Sequence, residues 1–169
     1  MLTVQIVTKG IVCMLVVGSL AAAIAAEEAV RETEPPSSPD TQLNDRGRYL
    51  VKITGCNDCH TPGYAETAGK VPEKDWLVGD KTGWRGPWGT TYSSNLRLYF
   101  QQLSEAQWVM VAHTVELRPP MPWFALRDMT EQDLRAIYRF IRSLGPAGEP
   151  APDYLPPEKE PVGPYILFP

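Results

Sequence analysis

Two cysteines and a histidine stand together in the order Cys56-Asn57-Asp58-Cys59-His60. Thiols separated by two residues can each form a thioether with one of the two vinyl groups of a haem. A histidine directly after the second thiol then lies beneath the iron as an axial ligand. The pentapeptide therefore predicts one covalently attached haem c, bound through Cys56 and Cys59, with His60 as the proximal iron ligand.

Two other chemistries use the same residue types at this spacing. A structural zinc site needs four ligands, usually from a second cysteine or histidine pair. Outside the pentapeptide, the sequence has only Cys13 and His113. A redox-active dithiol is typical of a βαβ unit, which the surrounding pattern does not show. Haem attachment is therefore the favoured interpretation, against zinc binding, a redox dithiol or a chance occurrence.

The second axial position of the iron decides what such a haem does. Methionine opposite histidine gives an electron-transfer site with a raised potential. Met121 lies in Pro119-Pro120-Met121-Pro122, where the prolines fix φ and keep the backbone extended. Such a loop can hold a thioether at the iron with little reorganisation, so we predict Met121 as the sixth ligand. Met110 and Met129 are interpreted as packing groups, and His113 is the rival ligand in a bis-histidine arrangement.

Length and composition set the class of protein. A chain of 169 residues favours one domain, and 43% hydrophobic with 21% charged residues is typical of a globular protein. The net charge of −4 provides no basic surface for a nucleic acid, so no nucleic-acid partner is expected.

The N-terminal residues 1–26 have the pattern of a signal peptide. Lys9 supplies the positive charge, residues 11–20 are apolar, and small residues follow up to Ala26. We therefore expect export to the periplasm. The alternative is an uncleaved membrane anchor, although the apolar run 11–26 is shorter than the roughly 20 residues that span a bilayer. Cys13 lies inside this segment and is assigned no role.

The sequence also predicts the elements that position these residues. Residues 27–42 are acidic and rich in proline and serine, which indicates a flexible linker before a domain at residues 43–145. Asn44 or Asp45 can cap a first helix that ends at Gly55, directly before the haem motif.

Two more helices are expected later in the chain. Ser104 and Gln107 form a capping box for a helix that ends near Leu117. Thr130 caps a third, strongly periodic helix that ends at Gly145. The fold class is therefore all-α, with three or more helices around one haem. Residues 146–169, which include many prolines and several large apolar side chains, are expected to form an extended tail packed on the domain.

Residues 62–98 are rich in glycine, proline and tryptophan and predict loops with short extended pieces. Their large aromatic side chains need something to cover, and a haem would serve. Five side chains are candidates for packing on the haem or contacting its propionates, with ordinary loop packing as the equal alternative: Trp76, Trp84, Arg85, Tyr92 and Asn95.

Residues 43–144 resemble the class I c-type cytochromes: a helix, Cys-x-x-Cys-His, loops, a methionine in a proline-containing loop, and a C-terminal helix. Within that class the sequence is similar to bacterial monohaem cytochromes related to the cytochrome subunits of membrane-bound dehydrogenases. The matching segments are residues 86–96 (GPWGTTYSSNL), 121–123 (MPW) and 129–134 (MTEQDL). Those subunits usually carry three haems, whereas this sequence has one haem motif.

The resemblance implies a cytochrome c-like fold in which the N- and C-terminal helices cross closely, with Gly47 and Tyr138 at the contact. It also implies a periplasmic one-electron carrier that transforms no substrate and exchanges electrons with redox proteins, such as a donor dehydrogenase and an acceptor oxidase or reductase. One alternative is a haem c subunit of a larger membrane-bound dehydrogenase or oxidase complex. Another is a gas-binding haem sensor or haem enzyme, which requires Met121 to leave the iron open.

Overall fold

The computed structural model describes residues 38–169, and the predicted signal peptide and most of the predicted linker lie outside them. The fold is mostly helical, as predicted. In chain order, its elements are α1 (Pro39–Ile53), α2 (Cys56–His60), β1 (Gly83–Gly86), β2 (Gly89–Tyr92), α3 (Leu96–Tyr99), α4 (Glu105–Thr114), α5 (Trp123–Arg127), α6 (Glu131–Ser143) and β3 (Tyr165–Leu167), with 3-10 turns at Glu73–Asp75 and Phe100–Gln102.

Helix α1 begins earlier than the sequence predicted. Ser38 is its N-cap and accepts a hydrogen bond from the Thr41 amide at 3.2 Å, and Pro39 occupies the first helical position. Both residue types suit these positions, because serine accepts from an orphan amide and proline lacks one. Residues 39–42, predicted as linker, are therefore helical. The prediction was wrong here because proline and serine, which are common in flexible segments, are equally typical of the first residues of a helix.

The close crossing of α1 with α6 forms the centre of the helical core. A Cβ on Gly47 would lie 2.0 Å from the Ala136 carbonyl oxygen and 2.8 Å from Cβ of Phe140. The expected partner Tyr138 instead donates its hydroxyl to the carbonyl of Leu103. The residues of α6 that meet Gly47 are therefore Ala136 and Phe140 rather than Tyr138, because the face of α6 that carries Ala136 and Phe140 turns toward α1.

The capping predictions for the two later helices are confirmed. Ser104 accepts from the Gln107 amide while the Gln107 side chain accepts from the Ser104 amide, and Thr130 caps α6. Helix α4 ends at Thr114 rather than near Leu117, because the chain turns extended at Val115 on its way to the prolines. Gly145 follows α6 with a φ of 70°.

A three-stranded sheet accompanies the helices, in the order β2-β1-β3, and was not part of the all-α prediction. Strands β1 and β2 are antiparallel, whereas β3 from the tail runs parallel to β1 with Trp84 opposite Ile166. The tail lies extended along this hairpin. Its Phe168 ring packs 5.7 Å from the Trp84 ring and 5.9 Å from the Trp88 ring.

The buried side chains form one core between α1, α4, α6 and the loop before β1. Trp76 packs edge-on against Phe140, and Phe100 lies 4.6 Å from Trp108 between ring centroids. The indole of Trp108 donates to the Leu134 carbonyl, which ties α4 to α6. Over residues 38–169, every helix is too short or too polar to cross a bilayer.

Candidate haem-binding site

The cysteines and histidine of the motif lie on one short helix, α2. Gly55 precedes it with a φ of 75°, in the left-handed region that glycine adopts without strain, and separates α2 from α1. Cys56 and Cys59 are three residues apart and His60 is four from Cys56, so all three share one helical face. Both thiols are free and half-buried. Burial raises the pKa of each thiol.

The orientation of His60 is fixed by a backbone carbonyl. Its Nδ1 lies 2.7 Å from the carbonyl oxygen of Ser94. A carbonyl only accepts, so Nδ1 carries the hydrogen and Nε2 keeps its lone pair. Burial lowers the pKa of His60, and the bond to Ser94 opposes this. The result is a neutral imidazole whose Nε2 suits an iron atom, with the carbonyl acting as the partner that holds the ring.

A buried polar network attaches α2 to the loop before β1. Thr61 donates its hydroxyl to the Asn57 side-chain oxygen at 2.7 Å and accepts from the Leu77 amide at 2.8 Å. The Gly79 amide donates to the His60 carbonyl. Sequence reasoning missed Asn57 and Thr61. Asn57 lies inside the haem motif and Thr61 follows it directly, and polar residues four apart can meet on one face of a helix. Their spacing could therefore have indicated this hydrogen bond.

Met121 is half-buried and packs against the core. The Pro119–Pro120 peptide bond before it is cis. Thr91 of β2 donates its hydroxyl to the Pro119 carbonyl at 2.7 Å. Residues 91–94 therefore anchor both predicted axial ligands, since Thr91 contacts the Met121 loop and Ser94 contacts His60.

The three alternatives to Met121 as the sixth ligand lie in or beside the helices α4 and α6. His113 places Nδ1 2.9 Å from the Arg127 carbonyl oxygen, which ties α4 to α5. Met110 lies on α4 with 59% of its surface exposed, and Met129 packs against the core. Neither methionine has prolines beside it as Met121 does.

Two of the five candidate haem contacts have their donors engaged by backbone carbonyls elsewhere in the protein. Trp76 is buried and donates to the Val71 carbonyl. Both amide hydrogens of Asn95 go to tail carbonyls, at Ala147 and Glu149. Neither side chain therefore has a donor left for a haem propionate.

Arg85 and Trp84 hold the tail and the hairpin. Arg85 donates to the Thr90 hydroxyl, the carbonyls of Pro157 and Lys159, and the Glu160 carboxylate. The Trp84 indole donates to the Ser93 hydroxyl at 3.2 Å. Tyr92, half-buried at the end of β2, keeps its place among the candidates.

The donor set fits haem c. Two thiols and a neutral imidazole share one face of α2, and the loop with the Met121 thioether is attached to residues 91–94, the segment that also holds His60. The sequence model of the cytochrome c family matches residues 44–145. The chain belongs to the cytochrome c family. Proteins of this family carry electrons on haem c, so this cytochrome is an electron-transfer protein rather than a catalytic enzyme, as predicted.

Relatives of this cytochrome support the predicted resemblance to dehydrogenase subunits. The cytochrome c subunit of a quinone-type alcohol dehydrogenase from Gluconacetobacter polyoxogenes is 28% identical over 66% of this chain and 24% of its own length. The fructose dehydrogenase cytochrome subunit of Gluconobacter japonicus is 28% identical over 71% of this chain and 25% of its own length. The chain thus spans about a quarter of the length of these two relatives. No solved structure matches it.

Proposed function

We propose that this cytochrome is an exported one-electron carrier with a single haem c, bound covalently through Cys56 and Cys59 and ligated axially by His60 and Met121. The observation that carries the proposal is the hydrogen bond from His60 Nδ1 to the Ser94 carbonyl, 2.7 Å long. It leaves Nε2 as the free nitrogen of a neutral imidazole. When bound, the haem supplies an iron centre that accepts and releases one electron.

The protein's own side chains keep both ligands in place during that exchange. The Ser94 carbonyl holds the His60 ring, and the Thr91 hydroxyl holds the Met121 loop. Because both anchors belong to one short segment, the ligands keep their relative position when the charge on the iron changes. Such preorganisation lowers the structural change that accompanies electron transfer.

The sixth ligand is tested by Met121→Ala, with Met110→Ala as the matched control. Loss of the thioether should abolish the sulfur-to-iron absorption band and lower the midpoint potential, because a methionine ligand raises it. Met110 is largely exposed on α4, so its loss should change neither. An unchanged band and potential in Met121→Ala would move the assignment to another residue.

Carbon monoxide separates the carrier from a gas sensor or haem enzyme. A methionine held on the iron should make the reduced protein resist carbon monoxide, and Met121→Ala should bind it readily. Rapid and complete binding by the unaltered protein would contradict the carrier and favour the open-site alternative.

Covalent attachment is tested by the mass of the acid-denatured protein. One haem should stay with the polypeptide, since thioether bonds survive unfolding. Cys56→Ala should leave one thioether, and the double change with Cys59→Ala should release the haem. A second haem on the unaltered chain, or free haem released from it, would contradict the proposal.

Two proposals concern the cellular setting. Export is proposed from the signal-peptide pattern of residues 1–26, and a dehydrogenase partner is proposed from the names of the relatives. Export predicts that the purified protein begins after Ala26, which its mass will show. A dehydrogenase subunit as partner predicts co-purification from solubilised membranes. A free monomer found only in the periplasmic fraction would favour a diffusing carrier instead.

A further inference from the structure

We propose that the C-terminal tail positions the sixth ligand: Tyr154 holds Arg118, and through Arg118 the loop that carries Met121. This inference rests on the proposed His60 and Met121 ligation. It assigns Tyr154 and Arg118 as positioning residues that do not touch the iron themselves.

The central contact joins the tail to the loop. The guanidinium carbon of Arg118 lies 3.9 Å from the centroid of the Tyr154 ring, the shortest of the arginine–aromatic contacts within residues 38–169. A guanidinium over an aromatic face is attracted by the ring quadrupole. Over the same residues, no carboxylate lies within ion-pair distance of Arg118, so the ring is its main partner.

Tyr154 is itself held firmly against the hairpin. Its hydroxyl donates to the Trp88 carbonyl at 2.7 Å. The next residue, Leu155, exchanges two backbone hydrogen bonds with Thr90, at 2.7 Å and 2.9 Å. A Cβ at Gly89 would lie 2.3 Å from the Leu155 carbonyl oxygen, so the tail approaches this closely only because glycine is there. The ring is therefore a fixed surface rather than a swinging side chain.

A second clamp holds the tail beyond Tyr154. The Arg85 side chain, 13% exposed, donates to the Pro157 and Lys159 carbonyls and pairs with Glu160 at 2.6 Å. The Phe168 amide then donates to the Arg85 carbonyl at 2.7 Å. Before Tyr154, Asn95 donates to the carbonyls of Ala147 and Glu149, so the tail is attached on both sides of the residue that meets Arg118.

The link from Arg118 to Met121 is short and stiff. Only Pro119 and Pro120 lie between them, and their rings fix φ at both positions. A restraint on Arg118 is therefore transmitted to Met121 rather than absorbed by backbone rotation. The loop from α4 to α5 has one further anchor to the sheet, the Thr91 bond to the Pro119 carbonyl. The loop is therefore held by one contact from the hairpin, through Thr91, and by one from the tail, through Tyr154.

The test measures how fast carbon monoxide binds to the reduced holoprotein, since binding requires Met121 to leave the iron. Tyr154→Leu removes the ring and Arg118→Gln removes the cation. Each should raise the binding rate by about two- to fivefold, the range expected for losing one exposed cation–π contact. Tyr154→Phe keeps the ring and Arg118→Lys keeps the charge, so both should stay closer to the unaltered protein.

Tyr49→Leu is the matched control. Tyr49 lies on α1 beneath Arg46, whose guanidinium is 5.6 Å from the ring centroid, so the same exchange removes another arginine–tyrosine pair outside the tail. Its binding rate should be unchanged. If Tyr154→Leu fails to fold, Arg118→Gln decides, because it alters an exposed side chain only.

The outcomes separate the two proposals. Wild-type rates in both Tyr154→Leu and Arg118→Gln, with the sulfur-to-iron band present in the unaltered protein, would overturn the positioning role and leave the ligation intact. Absence of the band from the unaltered protein would overturn the ligation by Met121, and the positioning role with it.

Discussion

Asn95 shows how a single side chain can join a helix of this cytochrome to its tail through three hydrogen bonds. Its oxygen accepts from the Leu98 amide and caps α3, while its two amide hydrogens go to the carbonyls of Ala147 and Glu149. The residue is 4% exposed, so these tail carbonyls have little water to replace a lost donor. It also follows Ser94, whose carbonyl orients His60.

Asn95→Ala should lower the free energy of unfolding of the holoprotein by about 2–4 kcal/mol, from a lost cap and two unmet carbonyls. Denaturant titration should show a lower midpoint with an unchanged slope. Asn44→Ala is the control, because Asn44 makes one exposed bond to Ser143, and it should stay within about 0.5 kcal/mol. A loss below about 1 kcal/mol at Asn95 would mean that the tail carbonyls find other donors.

At the scale of elements, the crossing of α1 and α6 depends on a position that has no side chain. Alanine is the better helix former by about 1 kcal/mol, so propensity alone favours Gly47→Ala. A new Cβ would, however, lie 2.0 Å from the Ala136 carbonyl oxygen, which is backbone and cannot move alone. The steric overlap should therefore exceed the gain in propensity.

Gly47→Ala should destabilise the holoprotein by about 3 kcal/mol or more, the upper range for overpacking a tight core. Thermal and denaturant unfolding will measure it. Lys52→Ala, an exposed change on the same helix, should have little effect. Equal or greater stability in Gly47→Ala would show that the helices separate at little cost.

The same elements show what the sequence could predict. Helices α4 and α6 were predicted from local features, namely a capping box at Ser104 and a periodic apolar face after Thr130. The sheet was not predicted for two reasons. Strands β1 and β3 lie far apart in the sequence, and neither strand alternates apolar with polar residues. The sequence predicts His60 from the Cys-x-x-Cys-His motif and Met121 from the prolines that flank it, while their anchors Ser94 and Thr91 depend on tertiary contacts that no local pattern encodes.

On the scale of the whole molecule, Arg85 is one of the residues that join the tail to the domain, and it contacts the stretch from Pro157 to Glu160. Its guanidinium is largely buried and satisfies two tail carbonyls, whereas the paired Glu160 is 74% exposed. The exposed ion pair should add little, since solvent screens it. The bonds to the two carbonyls should therefore provide most of the stability that Arg85 gives to the attached tail.

Arg85→Met should therefore open the tail locally while the helical core stays folded. Native-state hydrogen exchange should show faster exchange at the amides of Leu155 and Phe168, with the amides of α6 unchanged. Glu160→Gln removes the ion pair alone and should leave these rates nearly as they were. Faster exchange throughout α6 in Arg85→Met would mean that the tail and core unfold as one unit.

The pairing of β3 with β1 also orders the folding of the chain in time. Arg85 meets its tail partner Lys159 across 74 residues, and α1 meets α6 across a comparable stretch, 99 residues from Asp40 to Arg139, so the entropy of loop closure alone does not separate the two steps. The order follows from position in the chain: the tail comes after α1 to α6, so during synthesis the helices are present before the tail can dock. A newly made chain should therefore acquire its helical core, and with it the histidine side of the haem site, before the methionine loop becomes rigid.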